Sequence, residues 1–298
     1  MSIYIFEGSD KVGKTTAANQ LSKERGIPII KCSQPTGDPY REYVEKILAL
    51  TEDVIFDRFL YGELVYGPLY RKRSQLNDIK VYNLELLLQV RDTMIIHCNA
   101  KIDFVKKKFI SENETFTRQE DIEKILNGYK ELFKSPRLLP VIHRTIPTDE
   151  PLTLPISRSI PTILLKTRYI GSLQPSVVFV GDRNNQRAQG RYAEIGLPFD
   201  FGRSSTILRG LIKDVGIKSF GMTNVYKHHL QNENQRKILQ EEIETIHPRV
   251  LIALGNKAAS ELKSCGFEPK VLWHPSFLGR FKGAQRPDYI KKLIEICQ

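Results

Sequence analysis

Apolar positions fall in two rhythms along this chain. Short runs dominated by β-favouring residues, Ile3–Phe6, Ile27–Lys31, Val54–Asp57, Met94–Cys98 and Leu139–His143, are candidate strands. Between them apolar residues recur at helical spacing, as in Lys14–Arg25 and Glu120–Phe133. Strands alternating with helices predict a parallel sheet with helices on both faces. Residues 147–174 break the rhythm: Pro147, Pro151, Pro155 and Pro161 punctuate a stretch sparse in charge, which reads as an extended linker packed on one domain through Ile163–Leu165. Alternation then resumes, with "SVVFVGD", "GMTNVY", "RVLIALG" and "PKVLWHP" as strands and Glu233–Ile246 and Asn256–Ser264 as helices. There is no internal repeat. The predicted organisation is α/β throughout: one domain over 1–146, a Pro-rich linker over 147–174 and a second domain over 175–298.

The first strand runs into "EGSDKVGKTT", in which Gly8, Gly13, Lys14 and Thr15 fit G-x-x-x-x-G-K-[ST]. Glycines let backbone N–H groups turn inward around phosphate oxygens. A helix starting at Lys14 aims its positive end at the same anion. Lys14 is placed to reach the outer phosphates, and the Thr15 hydroxyl, followed by Thr16, to ligate Mg²⁺. The pattern has the strand before it and the helix after it that this chemistry requires.

Composition narrows the setting. Of 298 residues, 41% are hydrophobic and 27% charged, which suits a packed core. No apolar run approaches the roughly 20 residues of a membrane span, and the start of the chain lacks a secretory layout. Cys32, Cys98, Cys265 and Cys297 lie far apart with no CxxC spacing, so no zinc or iron–sulfur site is signalled, and reduced thiols in a cytoplasmic protein are expected. The net charge of +11 is uneven: residues 1–146 hold 23 Lys and Arg against 20 Asp and Glu, a net +3, and residues 175–298 hold 19 against 12, a net +7. The more basic second half suits a polyanion such as nucleic acid.

Three stretches of the first domain carry a resemblance. "FEGSDKVGKTT", "FDRFLYGELVYGP" (56–68) and "SENETFTRQEDIEKILNGYKELF" (111–133) resemble, in order, the P-loop, the Asp-Arg-aromatic signature and the lid with its following helix of thymidylate kinases. The resemblance implies a P-loop kinase sheet, ATP and Mg²⁺ as cofactors, and phosphoryl transfer to a deoxynucleoside monophosphate. It gives Lys14 and Lys11 the donor and the transferred group, and Thr15 the metal, with Asp57 facing the metal's water or the acceptor. Arg58 takes the acceptor phosphate, Asp10 the acceptor sugar, and Arg71 and Arg118 the acceptor and lid. Lysine at position 11 supplies charge without the bidentate fork of an arginine. Gly62 stands where the family has a polar residue, which leaves the acceptor base and sugar open.

"FVGDRNN" (179–185), "GLPFDFGRSSTIL" (196–208), "TNVYK" (223–227) and "WHPS" (273–276) resemble, in order, motifs of the uracil-DNA glycosylase superfamily over residues 176–296. That implies a three-layer α/β domain that receives a flipped base, since a base inside a duplex is out of reach. Phe199 or Phe201 would be the aromatic platform, Asn224 the reader of the pyrimidine edge, and His274 the donor near the base O2. Asp182 would orient water, and Ser276 would approach the DNA backbone. The match has gaps: "GDRNN" lacks the proline and small residues of the corresponding loop, "LPFDFGR" is one residue long, and the cysteines of the iron–sulfur branch are missing. His228 and His229 read as a polar loop.

The leading expectation is a bifunctional enzyme: an ATP-dependent kinase of pyrimidine deoxynucleotides joined to a domain that binds or excises a pyrimidine base in DNA. The alternatives are a kinase acting on a modified pyrimidine, such as a hydroxymethyl base, within DNA, and a tethering second domain without catalysis. Expected partners are a nucleoside triphosphate, a pyrimidine deoxynucleotide and DNA, with no membrane and with the oligomeric state, a homodimer included, left open. Viral DNA-modifying systems are a natural home for such a fusion, which would place it in the host cytoplasm.

Overall fold

Ile3, Tyr4, Ile5 and Phe6 are all buried, because a strand in the middle of a parallel sheet has no solvent face. The structure, a computed structural model, describes residues 1–111, 117–135, 137–147, 152, 154, 160–183, 197, 203–280 and 285–298. Strand β1 (Ile3–Glu7) pairs in parallel with β3 (Val54–Asp57) on one side and β4 (Thr93–Ala100) on the other. With β2 (Ile29–Lys31) and β5 (Val141–Ile146) at the edges, the sheet order is β2-β3-β1-β4-β5, all parallel.

Among the described residues, six helices flank this sheet: α1 (Lys14–Arg25), α2 (Pro39–Ala49), α3 (Tyr61–Arg71), α4 (Asp78–Gln89), α5 (Ile102–Ser111) and α6 (Ile122–Lys134). Helix α1 has no acidic residue in its first turn and carries Lys23 and Arg25 in its last, so its N-terminal N–H groups stay available to an outside anion. It stops at Gly26, whose left-handed backbone lets its N–H reach Ser22 O at 2.8 Å. Several predicted bounds shift by a few residues, and two of these shifts have a clear cause. The strand expected at Leu139–His143 runs Val141–Ile146, because Pro140 has no N–H and contributes only its carbonyl, which accepts from Ile95 N at 3.0 Å. The helix expected from Glu120 opens as a 3₁₀ turn over Gln119–Asp121 before α6.

The chain divides into two compact units, Met1–Ser159 and Ile160–Gln298. Residues 160–174, expected as extended linker, carry elements of the second unit: α7 (Thr162–Lys166) and β6 (Ile170–Gly171). The reason is packing. Tyr169 is fully buried, and its ring crosses the sheet at Gly221, where any side chain would collide with the Tyr169 hydroxyl. The remaining elements are β7 (Val177–Arg183), α8 (Arg203–Val215), β8 (Phe220–Tyr226), α9 (Gln235–Ile246), β9 (Val250–Leu254), α10 (Asn256–Ser264), β10 (Lys270–Leu272), α11 (Ser276–Arg280) and α12 (Arg286–Cys297). The order is β10-β9-β7-β8-β6, parallel except for β6, which pairs antiparallel with β8. No described helix is long and apolar enough to cross a membrane.

Candidate functional sites

Each sheet changes its direction of growth at one strand. In the first, β3 and β4 flank β1; in the second, β8 and β9 flank β7. Open α/β sheets hold ligands in the crevice beyond the carboxyl end of that strand.

Beyond β1 the chain turns through Gly8 to Gly13. Gly8 has φ 144°, and a Cβ there would lie 2.1 Å from the Cys98 carbonyl oxygen, so only glycine fits. Gly13, at φ 85°, precedes α1. Between them Lys11 takes the left-handed region at φ 62°, uncommon for a residue with a side chain. A cavity of about 220 Å³ follows, lined by Asp10, Lys11, Gly13, Lys14, Thr15, Thr16, Arg58 and Lys108. It joins the cations expected to hold a donor. Lys14 is 4% exposed and donates to the Ser9 carbonyl. Burial, then the Arg58 charge, holds its pKa below the usual lysine value.

Thr15 Oγ1 donates to Asp57 Oδ2 at 2.7 Å, while Asp57 Oδ1 is buried without a hydrogen-bond partner. A hydroxyl beside an unsatisfied carboxylate oxygen is a hard-oxygen donor set, which fits Mg²⁺. Among the described residues no group of three His, Cys, Asp or Glu gathers to hold a metal, so the rest of such an ion's shell would come from phosphate and water.

Asp10 is the hub of the site. It pairs with the Arg58 guanidinium and accepts from Tyr66 Oη at 3.0 Å and Thr117 Oγ1 at 2.8 Å. Burial alone would raise its carboxyl, but Lys14, Arg58 and the two hydroxyls bring it below the usual aspartate value. Arg58, itself in the left-handed region at φ 70°, also lines a second cavity. That cavity, about 230 Å³, is walled by Tyr43, Phe59, Tyr66 and Tyr129, with Gln34, Glu63 and Arg71 as polar groups. Arg71 pairs with Glu63, which also accepts the Gln75 N–H at 2.9 Å. Arg118 sits apart: it is 72% exposed, pairs with Glu120 at 3.7 Å and lines neither cavity.

Sequence reasoning gave no role to Glu7. It is fully buried, and its Oε1 accepts the N–H groups of Phe59 and Tyr61 at 2.8 and 3.2 Å while Oε2 accepts Tyr129 Oη at 3.2 Å. Glu7 thereby fixes the turn that carries Arg58. Its pKa is raised, burial outweighing these bonds and the Lys14 charge. A carboxylate closing an apolar strand was the signal available. Lys108, also without an assigned role, is the member of the 106–108 lysine run that lines the cavity beyond β1.

In the second unit, parallel pairing brings the carboxyl ends of β7, β8, β9 and β10 to one edge. Asp182 lies at the end of β7, and Gly181 beside it is in register with Asn224 of β8. Gly255 follows β9, and a Cβ there would lie 3.7 Å from His274 Cβ, after β10. The topology thus gathers Asp182, Asn224, His274 and Ser276 along one rim. Phe199 and Phe201 lie outside the described residues. Asp182 Oδ2 accepts from Lys257 Nζ at 3.0 Å and Arg183 Nε at 3.3 Å, so its negative charge is already matched. His274 Nδ1 accepts the Ser276 N–H at 3.2 Å and lies 2.8 Å from Ser276 Oγ. An Nδ1 that accepts a backbone N–H puts the proton of a neutral ring on Nε2, a donor.

Behind the rim sits a pair that the sequence did not disclose. Lys227 Nζ reaches Glu242 Oε2 at 2.9 Å, Thr223 Oγ1 at 2.7 Å and Asn224 O at 2.7 Å, with both charged side chains buried. Lys227 thus clamps the backbone of Asn224. His229, read as part of a polar loop, anchors the unit: its Nε2 lies 2.9 Å from Lys166 O, and burial pushes its pKa down to about 4.

Residues 169–298 match the uracil DNA glycosylase superfamily. In the N-terminal half the chain is 30% identical over 143 residues to the "SPbeta prophage-derived uncharacterized protein YorR" of Bacillus subtilis (strain 168), spanning 46% of this chain and 86% of that protein. Among solved structures, Bacillus subtilis YorR in complex with phosphorylated GDP is similar at 27% identity, covering 48% of this chain and 85% of its own, with a TM-score of 0.42. Deoxyadenosine kinase from M. mycoides with bound dATP is similar at 19% identity, covering 50% and 93%, with a TM-score of 0.36.

Proposed function

For a chain that belongs, through its N-terminal half, to the family of the prophage protein YorR, we propose ATP-dependent phosphoryl transfer to a pyrimidine deoxynucleotide. One observation carries the reading: Arg58 lines both the phosphate cavity behind Lys14 and the aromatic-walled cavity, with Asp10 held against it. That is the arrangement a donor phosphate and an acceptor need in order to meet. An acceptor phosphate oxygen attacks the γ-phosphorus, the bond to the β-phosphate oxygen breaks, and ADP leaves. Positioning and charge do most of this work. Lys14 and Lys11 hold the donor phosphates, Arg58 orients the acceptor phosphate, and Asp10 faces the acceptor sugar. The aromatic walls supply stacking faces for the base, and Arg71 is within the same cavity to read its edge. Thr15 and Asp57 would hold Mg²⁺, which would supply charge neutralisation at the phosphates. Transfer of label from [γ-³²P]ATP to a panel of deoxynucleoside monophosphates tests this. Labelled pyrimidine diphosphates are expected, and no labelled nucleotide from any acceptor overturns the reading.

The second unit is read as a module that holds a pyrimidine base of DNA, with Asn224 on the base edge and His274 donating through Nε2. The superfamily match and the rim geometry support this. Release of free base from uracil-containing DNA, lost in His274→Ala, marks excision; binding without release marks a recognition module. The more basic second half and its superfamily match favour a second acceptor, a modified pyrimidine already within DNA. Label appearing in hydroxymethylpyrimidine DNA, and not in monophosphates, selects it.

A further inference from the structure

Helices α3 and α6 of the first unit hold three glycines, Gly62, Gly67 and Gly128. Glycine weakens a helix relative to alanine, so each calls for a reason. For two of them the reason is packing. A Cβ on Gly67 would lie 2.9 Å from Ser74 Cα, and one on Gly128 would lie 3.0 Å from a methyl of Val65. Gly62 has no such reason. It sits in the first turn of α3, outside the left-handed region, and beyond its own turn of helix a Cβ there would meet only Tyr129 Oη, at an ordinary 3.5 Å. The fold would accept alanine here. What Gly62 faces is the aromatic-walled cavity, which it lines together with Arg58, Glu63 and Tyr129.

The missing side chain leaves a notch in the cavity wall, and the group facing that notch is a hydroxyl. Tyr129 is 1% exposed and its Oη donates to Glu7 Oε2 at 3.2 Å, so its one proton is engaged and its lone pairs remain for a donor. We propose that Gly62 is a specificity-determining position. It admits an acceptor nucleotide carrying one hydroxyl more than a plain pyrimidine deoxynucleotide, and that hydroxyl lies against Gly62 and donates to Tyr129 Oη. Two sources supply such a group: the 2′-hydroxyl of a ribose, or a hydroxymethyl substituent on the base. A methyl group would fill the notch but leave the tyrosine oxygen without a donor. The proposal rests on the reading of this cavity as the acceptor site, and it names the kind of acceptor that the cavity selects.

The test gives full-length protein [γ-³²P]ATP and four acceptors: dUMP, dTMP, UMP and 5-hydroxymethyl-dUMP. One of the last two is expected to exceed both dUMP and dTMP in kcat/KM by about three- to tenfold, the range of one added hydrogen bond. Which of the two does so identifies the source of the hydroxyl. Gly62→Ala, which fills the notch, should erase that preference while melting no lower than wild type. Tyr129→Phe, which keeps the ring and removes the oxygen, should erase it too. No preference of the wild-type protein for either hydroxyl-bearing acceptor over dTMP overturns the proposal and leaves the kinase reading standing. So does a Gly62→Ala variant that lowers all four acceptors alike, or none of them. No labelled nucleotide from any acceptor overturns both.

Discussion

Beyond β1, Asp10 and Lys14 are 3% and 4% exposed and each has a partner in place, whereas beyond β7 Asp182 is 30% exposed and His274 only half-buried. The first unit buries Asp10 and Lys14 inside the site, while the Arg58 side chain keeps 46% of its surface exposed. The second keeps its buried charges, Lys227 and Glu242, behind the rim and leaves the rim open. An open rim suits a polymer, which must enter from the side and cannot be engulfed. The same sheet logic thus ends in a site with a buried carboxylate and lysine in one unit and an open rim in the other.

That contrast can be broken from either side. The largest effect is expected where charge is buried without access to water. Lys227→Met leaves Glu242 alone in the core and should destabilise the second unit by about 3–5 kcal/mol, with Lys227→Met/Glu242→Leu recovering most of the loss; urea denaturation reads both. Next, Lys14→Ala should cut phosphoryl transfer by about 10²–10³-fold, in the range seen when a preorganised transition-state donor is removed. The same variant should leave binding of uracil-containing DNA by the second unit unchanged, which separates the two sites. Third, Glu7→Ala strips two backbone N–H groups of their acceptor and should cost about 2–3 kcal/mol. Glu7→Gln keeps one acceptor oxygen and should lose less stability, while raising KM for the acceptor more than that for ATP.

The smallest effect concerns pH. His97 and His229, one in each unit, both have pKa values pushed down to about 4, burial being the main cause and the neighbouring His143 adding to it for His97. A histidine with a lowered folded pKa binds fewer protons than the unfolded chain between about pH 6.5 and 4. Its stabilising contribution is therefore complete above about pH 6.5 and lost as the pH falls towards 4. Melting temperature should decline across that window, and His97→Phe should flatten the decline in the first unit.

The loop and its helix were legible because their chemistry is local: Gly8, Gly13, Lys14 and Thr15 lie within eight residues, and α1 begins and ends where its spacing predicts. The helix Asn256–Ser264 was legible for the same reason. Glu7 was not, since its partners Phe59, Tyr61 and Tyr129 are distant in sequence. Arg118 lines neither cavity, because a residue's place in a motif does not fix where a long exposed side chain points. The start of the second unit was misread because prolines mark where regular pairing stops. They do not reveal that Tyr169, a few residues on, is drawn into a core through Gly221.

Lys11 carries a consequence for how this protein can change over generations. Its left-handed backbone costs on the order of 1 kcal/mol relative to glycine, so Lys11→Gly is favoured in any lineage selected only to stay folded. That exchange would strip a cation from the cavity beyond β1 while making the chain hardier. Libraries sorted for heat resistance should therefore drift to glycine at this position, and libraries sorted for turnover should return lysine or arginine. The identity of one loop residue would then record which pressure a given descendant has been under.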